Sequence, residues 1–140
     1  APPRYFVFAG LVFTPLTLDY VKTFGRNWRG VANSEMIYEL YYRRNETPAK
    51  VRKEPVVLAS TLAHPVNADM RLASRAMVDT INGKRIETLE DVIAAFEENT
   101  KPQHMIQFIS GTVECLDSTQ AELANPEILS TYGIQTDRRL

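Results

Sequence analysis

The chain contains 140 residues, 44% of them hydrophobic and 24% charged, and its formal net charge is -1. This length and composition are typical of one globular domain with a buried core, and they exclude a disordered or a fibrous protein. A nearly neutral chain has no overall field that attracts nucleic acid or an anionic membrane surface. The single cysteine, Cys115, excludes an internal disulfide and a cysteine zinc cluster, and the compartment stays open.

The first predicted element is a buried strand over residues 4–13, an apolar and aromatic run without polar interruption after Arg4. The run is about half as long as a membrane helix requires. Gly10 lies inside it, where a backbone neighbour or a ligand can come close. The chain enters this strand directly from Ala1-Pro2-Pro3, which suggests a cut at a proline-rich linker. We therefore treat residues 1–140 as a single domain excised from a longer chain.

A mostly helical insertion is predicted over about residues 17–54. Residues 17–24 form its first helix, which Gly25 ends in a left-handed conformation. Ser34 is a suitable N-cap for a second helix over residues 35–44, where apolar side chains repeat at helical spacing. The rest of the insertion is rich in proline and basic residues, so we expect an exposed connection.

The middle of the chain is predicted to form strands and the clearest helix. A second buried strand covers residues 56–62, and an alternating strand over residues 76–81 runs into Asn82-Gly83, a strong signal for a two-residue hairpin turn. Thr88 then begins a helix with Asp91 as its capping-box partner, and the apolar residues that follow form one stripe.

Two more strands, residues 105–109 and 112–116, precede a last helix from Pro126 to Tyr132. Cys115 is predicted to be a small buried side chain in the second of these strands. This order of elements predicts an α+β domain. Its centre is a small, partly open β-barrel or sheet with one capping helix, to which a helical insertion and a C-terminal helix are added.

Several of these segments resemble PDZ domains. Residues 82–86 followed by 88–93 are similar to the segment that enters the helix beside the peptide groove, and Gly10-Leu11-Val12-Phe13 resembles the Gly-Leu-Gly-Phe loop with one change. Residues 5–17 resemble the opening of the last PDZ-like domain in one branch of HtrA/Deg (protease Do-like) serine proteases. The resemblance covers nearly the whole chain, since counterparts follow in order at residues 56–60, 66–67, 132–134 and 137–140.

The resemblance implies a PDZ-like module without chemistry of its own, placed after a trypsin-like domain and a first PDZ domain. Its implied partners are peptide segments and other subunits or domains of the protease, within an oligomeric parent protein that acts in protein quality control. No cofactor, nucleic acid or membrane contact is implied. A bacterial envelope and a eukaryotic organelle are both compatible with it.

The implied site is a groove in which a peptide adds as an extra strand between a strand edge and the capping helix. Val12 stands where the family loop has its second glycine, and a branched residue disfavours positive φ and places a Cβ near the expected carboxylate. This favours an internal segment or a self-occupied groove over a free C-terminus. The alternative for the helix is that its whole apolar stripe is core. The implied peptide-binding residues are Ala9, Gly10, Leu11, Val12, Phe13, Leu89 and Ile93.

Two other functions stay open. The first is a purely structural assembly element with a closed groove, which Val12 favours. The second is single-stranded nucleic-acid binding through cations and rings of the insertion, against which stand the neutral charge balance and the lack of a recognised motif. A solvated insertion that packs Trp28 on the core, or a protein contact, explains the same residues: Arg26, Trp28, Arg29, Tyr41, Tyr42, Arg43, Arg44, Lys50, Arg52 and Lys53.

The residues argue against catalysis and metal binding. Serine hydrolysis requires an imidazole base, and the chain offers only His64 and His104, with no serine in a Gly-x-Ser-x-Gly or Gly-Asp-Ser-Gly context. Two isolated histidines do not make a metal-ligand set. The sequence therefore predicts no catalytic, cofactor-binding or metal-binding residue.

Overall fold

The computed structural model describes residues 3–28, 32, 34–43, 51–71 and 75–140. These residues form a mixed α+β structure with an open antiparallel sheet, which confirms the predicted fold class. The strands are β1 (Tyr5–Phe8), β2 (Leu11–Pro15), β3 (Val56–Thr61), β4 (Ala76–Ile81), β5 (Lys84–Arg85), β6 (Gln103–Phe108), β7 (Val113–Asp117) and β8 (Arg138–Arg139). The α-helices are α1 (Leu18–Lys22), α2 (Ser34–Tyr41), α3 (Leu89–Glu97) and α4 (Ser118–Thr131), and a 3-10 turn, η1, spans Pro65–Asn67.

The strand order is β7-β6-β4-β3-β2-β1-β8, with β5 added beside β4. β4 joins the two halves of the sheet, because its first residues pair with β3 and its last residues pair with β6. β8 lies at the end next to β1, although it comes last in the chain. None of the described helices is long and apolar enough to cross a membrane.

The single strand predicted over residues 4–13 is wrong, because the structure has a hairpin there. Ala9 and Gly10 form a two-residue turn with φ values of 52° and 85°, and Phe8 pairs with Leu11 directly across it. Positive φ at both turn positions is the conformation that tight hairpins favour. Since the turn and the residues on either side of it, Phe8 and Leu11, are buried, no polar residue marks the turn in the sequence.

The main core lies between the sheet and α3. The capping box predicted at the start of this helix is confirmed, since Thr88 Oγ1 accepts the Asp91 N–H at 3.2 Å and an Asp91 carboxylate oxygen accepts the Thr88 N–H at 3.2 Å. Phe96 of α3 packs against the rings of Phe6, Phe8 and Phe13. The apolar stripe of α3 is therefore core.

A second core lies on the opposite face of the sheet, where the predicted insertion packs. Val57 points to this face, while its neighbours Val56 and Leu58 belong to the main core, as the alternation of a strand requires. Trp28 and Met36 of the insertion are buried against Val57 and Met77. The insertion is thus fastened to the sheet by its own hydrophobic contacts.

The last helix starts earlier than predicted. α4 begins at Ser118, where Asp117 Oδ1 accepts the Gln120 N–H at 2.8 Å, and Pro126 lies inside the helix and not in its first turn. Proline lacks the N–H that would bond to the carbonyl of Glu122, so this helix tolerates an interior break in its ladder. The short strand β8 was not predicted.

Candidate functional site

The Ala9–Gly10 turn, where the resemblance places a carboxylate loop, is covered by two asparagine side chains. Asn67 Nδ2 donates to the carbonyl oxygens of Ala9 at 3.0 Å and Leu62 at 2.9 Å, and the Ala9 N–H donates to Asn125 Oδ1 at 2.9 Å. The Leu62 N–H donates to the Gly10 carbonyl at 2.7 Å. These backbone groups therefore already have partners within the chain.

The strand after this turn also lacks a free edge. β2 pairs with β1 on one side and with β3 on the other, so the slot expected beside residues 11–13 is filled by the sheet itself. Leu11 and Phe13 are fully buried, while Val12 is half-buried at a register shift opposite Ser60. The strand side of the expected groove is an interior strand.

On the helix side, Leu89 and Ile93 are buried in the same core as Leu11 and Phe13. The structure thus brings the strand residues and the helix residues together, but as two halves of a packed core. The peptide-binding role given to Ala9, Gly10, Leu11, Val12, Phe13, Leu89 and Ile93 stays a prediction.

The strand edge beside α3 is that of β1, and β8 pairs with this edge. Tyr5 lies opposite Arg139 and Phe6 opposite Arg138, and the Val7 N–H donates to the Asp137 carbonyl at 2.7 Å. The Tyr5 hydroxyl adds a hydrogen bond to the Thr136 carbonyl at 2.7 Å. Residues 136–139 therefore lie along β1 as an added antiparallel strand.

Arg138 connects this added strand to α3. Directly opposite residues of an antiparallel pair point to the same face, so Arg138 shares the helix-facing side with Phe6. Its guanidinium lies 5.2 Å from the Phe6 ring centroid, and its Nη2 lies 3.4 Å from Glu97 Oε1. The adjacent Asp137 carboxylate accepts from Nε and Nη2 at 2.9 and 3.1 Å, and this hydrogen bonding raises the pKa of Arg138. A permanent cation therefore lies between an aromatic ring and a carboxylate.

The sequence reasoning did not identify Phe6, Glu97 and Arg138 as site residues. Arg138 appeared only as part of the terminal block that resembles the protease branch. No local pattern could place it beside Phe6, because the pairing joins the two ends of the described chain.

Both histidines have structural surroundings. His104 is fully buried beside Phe8 and Phe96, and its Nδ1 lies 3.1 Å from Asn82 Nδ2 and 3.0 Å from Asn99 Nδ2. Since amide nitrogens donate, Nδ1 is the acceptor and Nε2 carries the proton, without a hydrogen-bond partner among the described residues. Burial lowers the pKa of this imidazole.

The other histidine caps a turn. His64 Nδ1 accepts the Val66 N–H at 3.0 Å at the start of η1, and its Nε2 lies 3.5 Å from Glu127. No group of three or more histidine, cysteine, aspartate or glutamate side chains suited to a metal ion occurs in the part of the chain that the structure describes. Cys115 was predicted to be buried and is exposed, because β7 turns Glu114 and Leu116 inward instead.

The basic and aromatic residues of the insertion do not form one surface. Trp28 is buried in the second core, and Arg52 is buried with its Nε donating to the Ile86 carbonyl at 2.9 Å. Arg43 pairs with Glu39, whereas Tyr41 and Tyr42 are exposed. The remaining members of the set that cannot be placed, Arg29, Arg44 and Lys50, lie outside the described residues.

A comparison with curated proteins finds no match to this sequence. The geometry nevertheless combines an open antiparallel sheet, a capping helix after an Asn-Gly hairpin, and an edge strand that takes up an extended segment beside that helix. A family model described as a PDZ domain matches residues 1–139, and the chain therefore belongs to the PDZ domain family.

Proposed function

We propose that this domain binds extended protein segments at the β1 edge, as the non-catalytic interaction module of an HtrA/Deg-type serine protease. A PDZ domain is a protein-interaction module and is generally non-catalytic. The protease assignment is supported by the resemblance of residues 5–17 and of the ordered blocks after them. In this proposal the domain contacts peptide segments and neighbouring protease subunits, and these contacts regulate oligomerisation and proteolysis.

The observation that carries the binding function is the pairing of β8 with β1. An edge strand offers unpaired N–H and C=O groups, and peptide recognition by strand addition uses these groups for affinity. Tyr5 and Val7 direct their backbone groups towards the added strand, and α3 stands beside it. The seven residues predicted to bind peptide form, in this proposal, the buried support that holds β1 against α3.

The test is a peptide-library screen followed by backbone methylation of the best binder. N-methylation of a ligand residue that bonds to Tyr5 or Val7 removes a strand-addition hydrogen bond, and we expect affinity to fall about tenfold or more per lost bond. The matched control is N-methylation of the alternate ligand residues, whose N–H groups point away from β1. Equal losses at both sets of positions would argue against strand addition.

The second candidate function is an assembly element with a closed groove, and the filled β1 edge favours it. The two candidates differ in the full-length protease. If deletion of this domain dissolves the oligomer while the isolated domain binds no library peptide, the assembly function is supported and the peptide function is not.

A further inference from the structure

We propose that the β1 edge selects an extended segment that carries an arginine, and that residues 137–139 occupy it in cis as a displaceable internal ligand. This inference rests on the proposed strand-addition function and names the partner chemistry and the regulation of that site. Three features of the structure support it: the environment of Arg138, the charge of α3, and the partly exposed contacts that hold β8.

The environment of Arg138 suits a guanidinium. A cation within about 6 Å of an aromatic ring face is attracted to it, and the guanidinium of Arg138 lies 5.2 Å from the Phe6 centroid. Glu97 supplies a carboxylate at 3.4 Å on the α3 side. An extended ligand that pairs with Phe6 in the same register would place its own side chain between these two groups. An arginine at that ligand position gains both contacts, and an acidic residue gains neither.

The exposed side of α3 adds a negative field along this slot. Glu90, Glu97 and Glu98 are all exposed on or directly after this helix. Glu90 is already paired, because Arg4 Nη2 lies 2.9 Å from its carboxylate. Among the ion pairs of the described residues, Glu97 takes part only in the one with Arg138, so it is the carboxylate that a basic ligand would meet.

The contacts that hold the internal segment are short in extent and partly exposed to solvent. β8 contains two residues, and the side chain of Arg138 remains 37% exposed in its ion pair with Glu97. An exposed ion pair of this kind contributes about 1 kcal/mol or less. α4 is followed by Gly133, which has a φ of 68°, and the Ile134 N–H donates to the Leu129 carbonyl at 2.8 Å. The segment that reaches β1 begins after these two residues. A short tether keeps the segment at an effective concentration of roughly millimolar, so it competes with free ligands without a strong intrinsic affinity.

The experiment measures binding of labelled peptides by fluorescence anisotropy to the 140-residue chain and to an opened double variant, Arg138→Ala with Arg139→Pro. The alanine removes the cation, and the proline removes the N–H opposite Tyr5. The probe is a peptide of residues 134–140, IQTDRRL, and its two comparison peptides are IQTDERL and the matched control IQTDREL. Near-ultraviolet circular dichroism checks that the opened variant retains its tertiary packing.

We expect the opened variant to bind IQTDRRL at least about tenfold tighter than the wild-type chain does, because the cis competitor no longer reduces the fraction of open sites. IQTDERL should bind about tenfold more weakly than IQTDRRL. IQTDREL should lose clearly less, because Arg139 lies 5.7 Å from the Tyr5 ring centroid but has no carboxylate partner among the ion pairs of the described residues. Glu97→Lys in the opened variant should reverse the preference and favour IQTDERL. If the double variant does not fold, Glu97→Ala alone, at an exposed position, should still reduce the preference for arginine.

Other results would overturn the inference. Equal affinities for the three peptides would remove the arginine selectivity, and equal affinities of the wild-type and opened chains would remove the cis occupancy. A wild-type dimer that Arg139→Pro dissociates would show that the segment is supplied by a second copy. If library peptides without arginine bind the β1 edge, the proposed function survives and this inference fails; if no peptide binds the opened chain, both fail.

Discussion

Among the glycines that the structure describes, Gly10 leaves the least room for an added methyl group. A Cβ there would come within 2.5 Å of Asn67 Nδ2 and still closer to the carbonyl oxygen of Leu62. A backbone carbonyl cannot move aside as the end of a flexible side chain can, so the turn would have to shift. Glycine is therefore required at this position for two reasons, its positive φ and the close approach of the Leu62 carbonyl.

We predict that Gly10→Ala lowers the free energy of unfolding by roughly 3 kcal/mol or more, as chemical denaturation would measure. Gly83→Ala is the matched control, because Gly83 has a φ of 82° against 85° for Gly10 but open space around its Cβ position. It should cost only the conformational strain, about 1–2 kcal/mol. Equal losses in the two variants would show that the crowding at Gly10 is relieved cheaply.

His104 makes the stability of the fold depend on pH. Burial lowers its folded-state pKa below the ordinary value of about 6.5, and the charge of Glu122 offsets part of this. The unfolded chain thus binds a proton at a higher pH than the folded chain does. The contribution of His104 is complete above about pH 6.5 and is lost as the pH falls from there through the folded-state pKa.

We therefore expect the free energy of unfolding to fall between neutral and mildly acidic pH, and His104→Gln to flatten that fall. Glutamine does not titrate and still offers an acceptor to the amides of Asn82 and Asn99. Denaturation curves across this pH range provide the measurement. His64→Gln keeps His104 and so keeps its contribution; an unchanged slope in His104→Gln would contradict the assignment.

At the scale of elements, Arg52 fastens the end of the insertion to the β4–β5 hairpin. Its Nε donates to the Ile86 carbonyl at 2.9 Å, and its Nη2 pairs with the Asp79 carboxylate. The Glu54 N–H then donates to the Glu87 carbonyl at 2.7 Å, so the chain returns to the sheet through two adjacent anchors. Glu54 also accepts the Leu89 N–H at 3.3 Å and thereby supports the start of α3.

We predict that Arg52→Met destabilises the domain by about 2–3 kcal/mol, since it leaves the Ile86 carbonyl and the Asp79 carboxylate without their partner. Methionine keeps much of the apolar stem, so the loss reports mainly on the guanidinium. Lys53→Met, at the exposed next residue, is the control and should stay within about 0.5 kcal/mol. Thermal and chemical denaturation measure both; a small loss in Arg52→Met would make the anchor dispensable.

The elements that the sequence predicts well are those with a local signal. The Asn82-Gly83 turn and the capping box of Thr88 with Asp91 lie within a few residues, and both appear in the structure as expected. The Ala9–Gly10 turn has no such signal, because its polar groups are satisfied by Asn67 and Asn125 from distant segments. For α4 the sequence predicts too short a helix, because proline is typical of a first turn, whereas the helix begins at the Asp117 cap and Pro126 lies inside it.

The site was predictable only in outline, for the same physical reason. Val12 pointed to a closed groove, but the side chain that closes the β1 edge is Arg138, near the other end of the chain. A two-residue strand such as β8 has no periodicity to detect, and it exists only because β1 offers unpaired backbone groups. The partner of an edge strand is a tertiary property of the fold.

At the scale of the whole molecule, the sheet separates two cores, and its stability should differ from centre to edge. β2 and the first half of β3 lie at the centre of the sheet, with Phe13 paired to Leu58 in the main core and Val57 in the second core. β1 pairs with β2 along one edge, but along its other edge it pairs only with the short strand β8. Opening of that edge exposes little apolar surface, whereas opening of the β2–β3 ladder disrupts both cores.

Amide hydrogen exchange followed by NMR measures this difference directly. The Val7 N–H, bonded to the Asp137 carbonyl, should exchange through local release of β8, and the amides of the Phe13–Leu58 ladder only through global unfolding. With a global stability of about 5 kcal/mol or more and an edge opening of about 2, Val7 should exchange at least about 100-fold faster. Arg138→Ala should speed Val7 further without affecting Leu58, while Lys84→Ala, on exposed β5, should change neither. If the Val7 and Leu58 amides are protected to the same extent, β8 is an integral strand of the sheet. Residues 137–139 are then not a displaceable ligand, and the β1 edge is not available for binding.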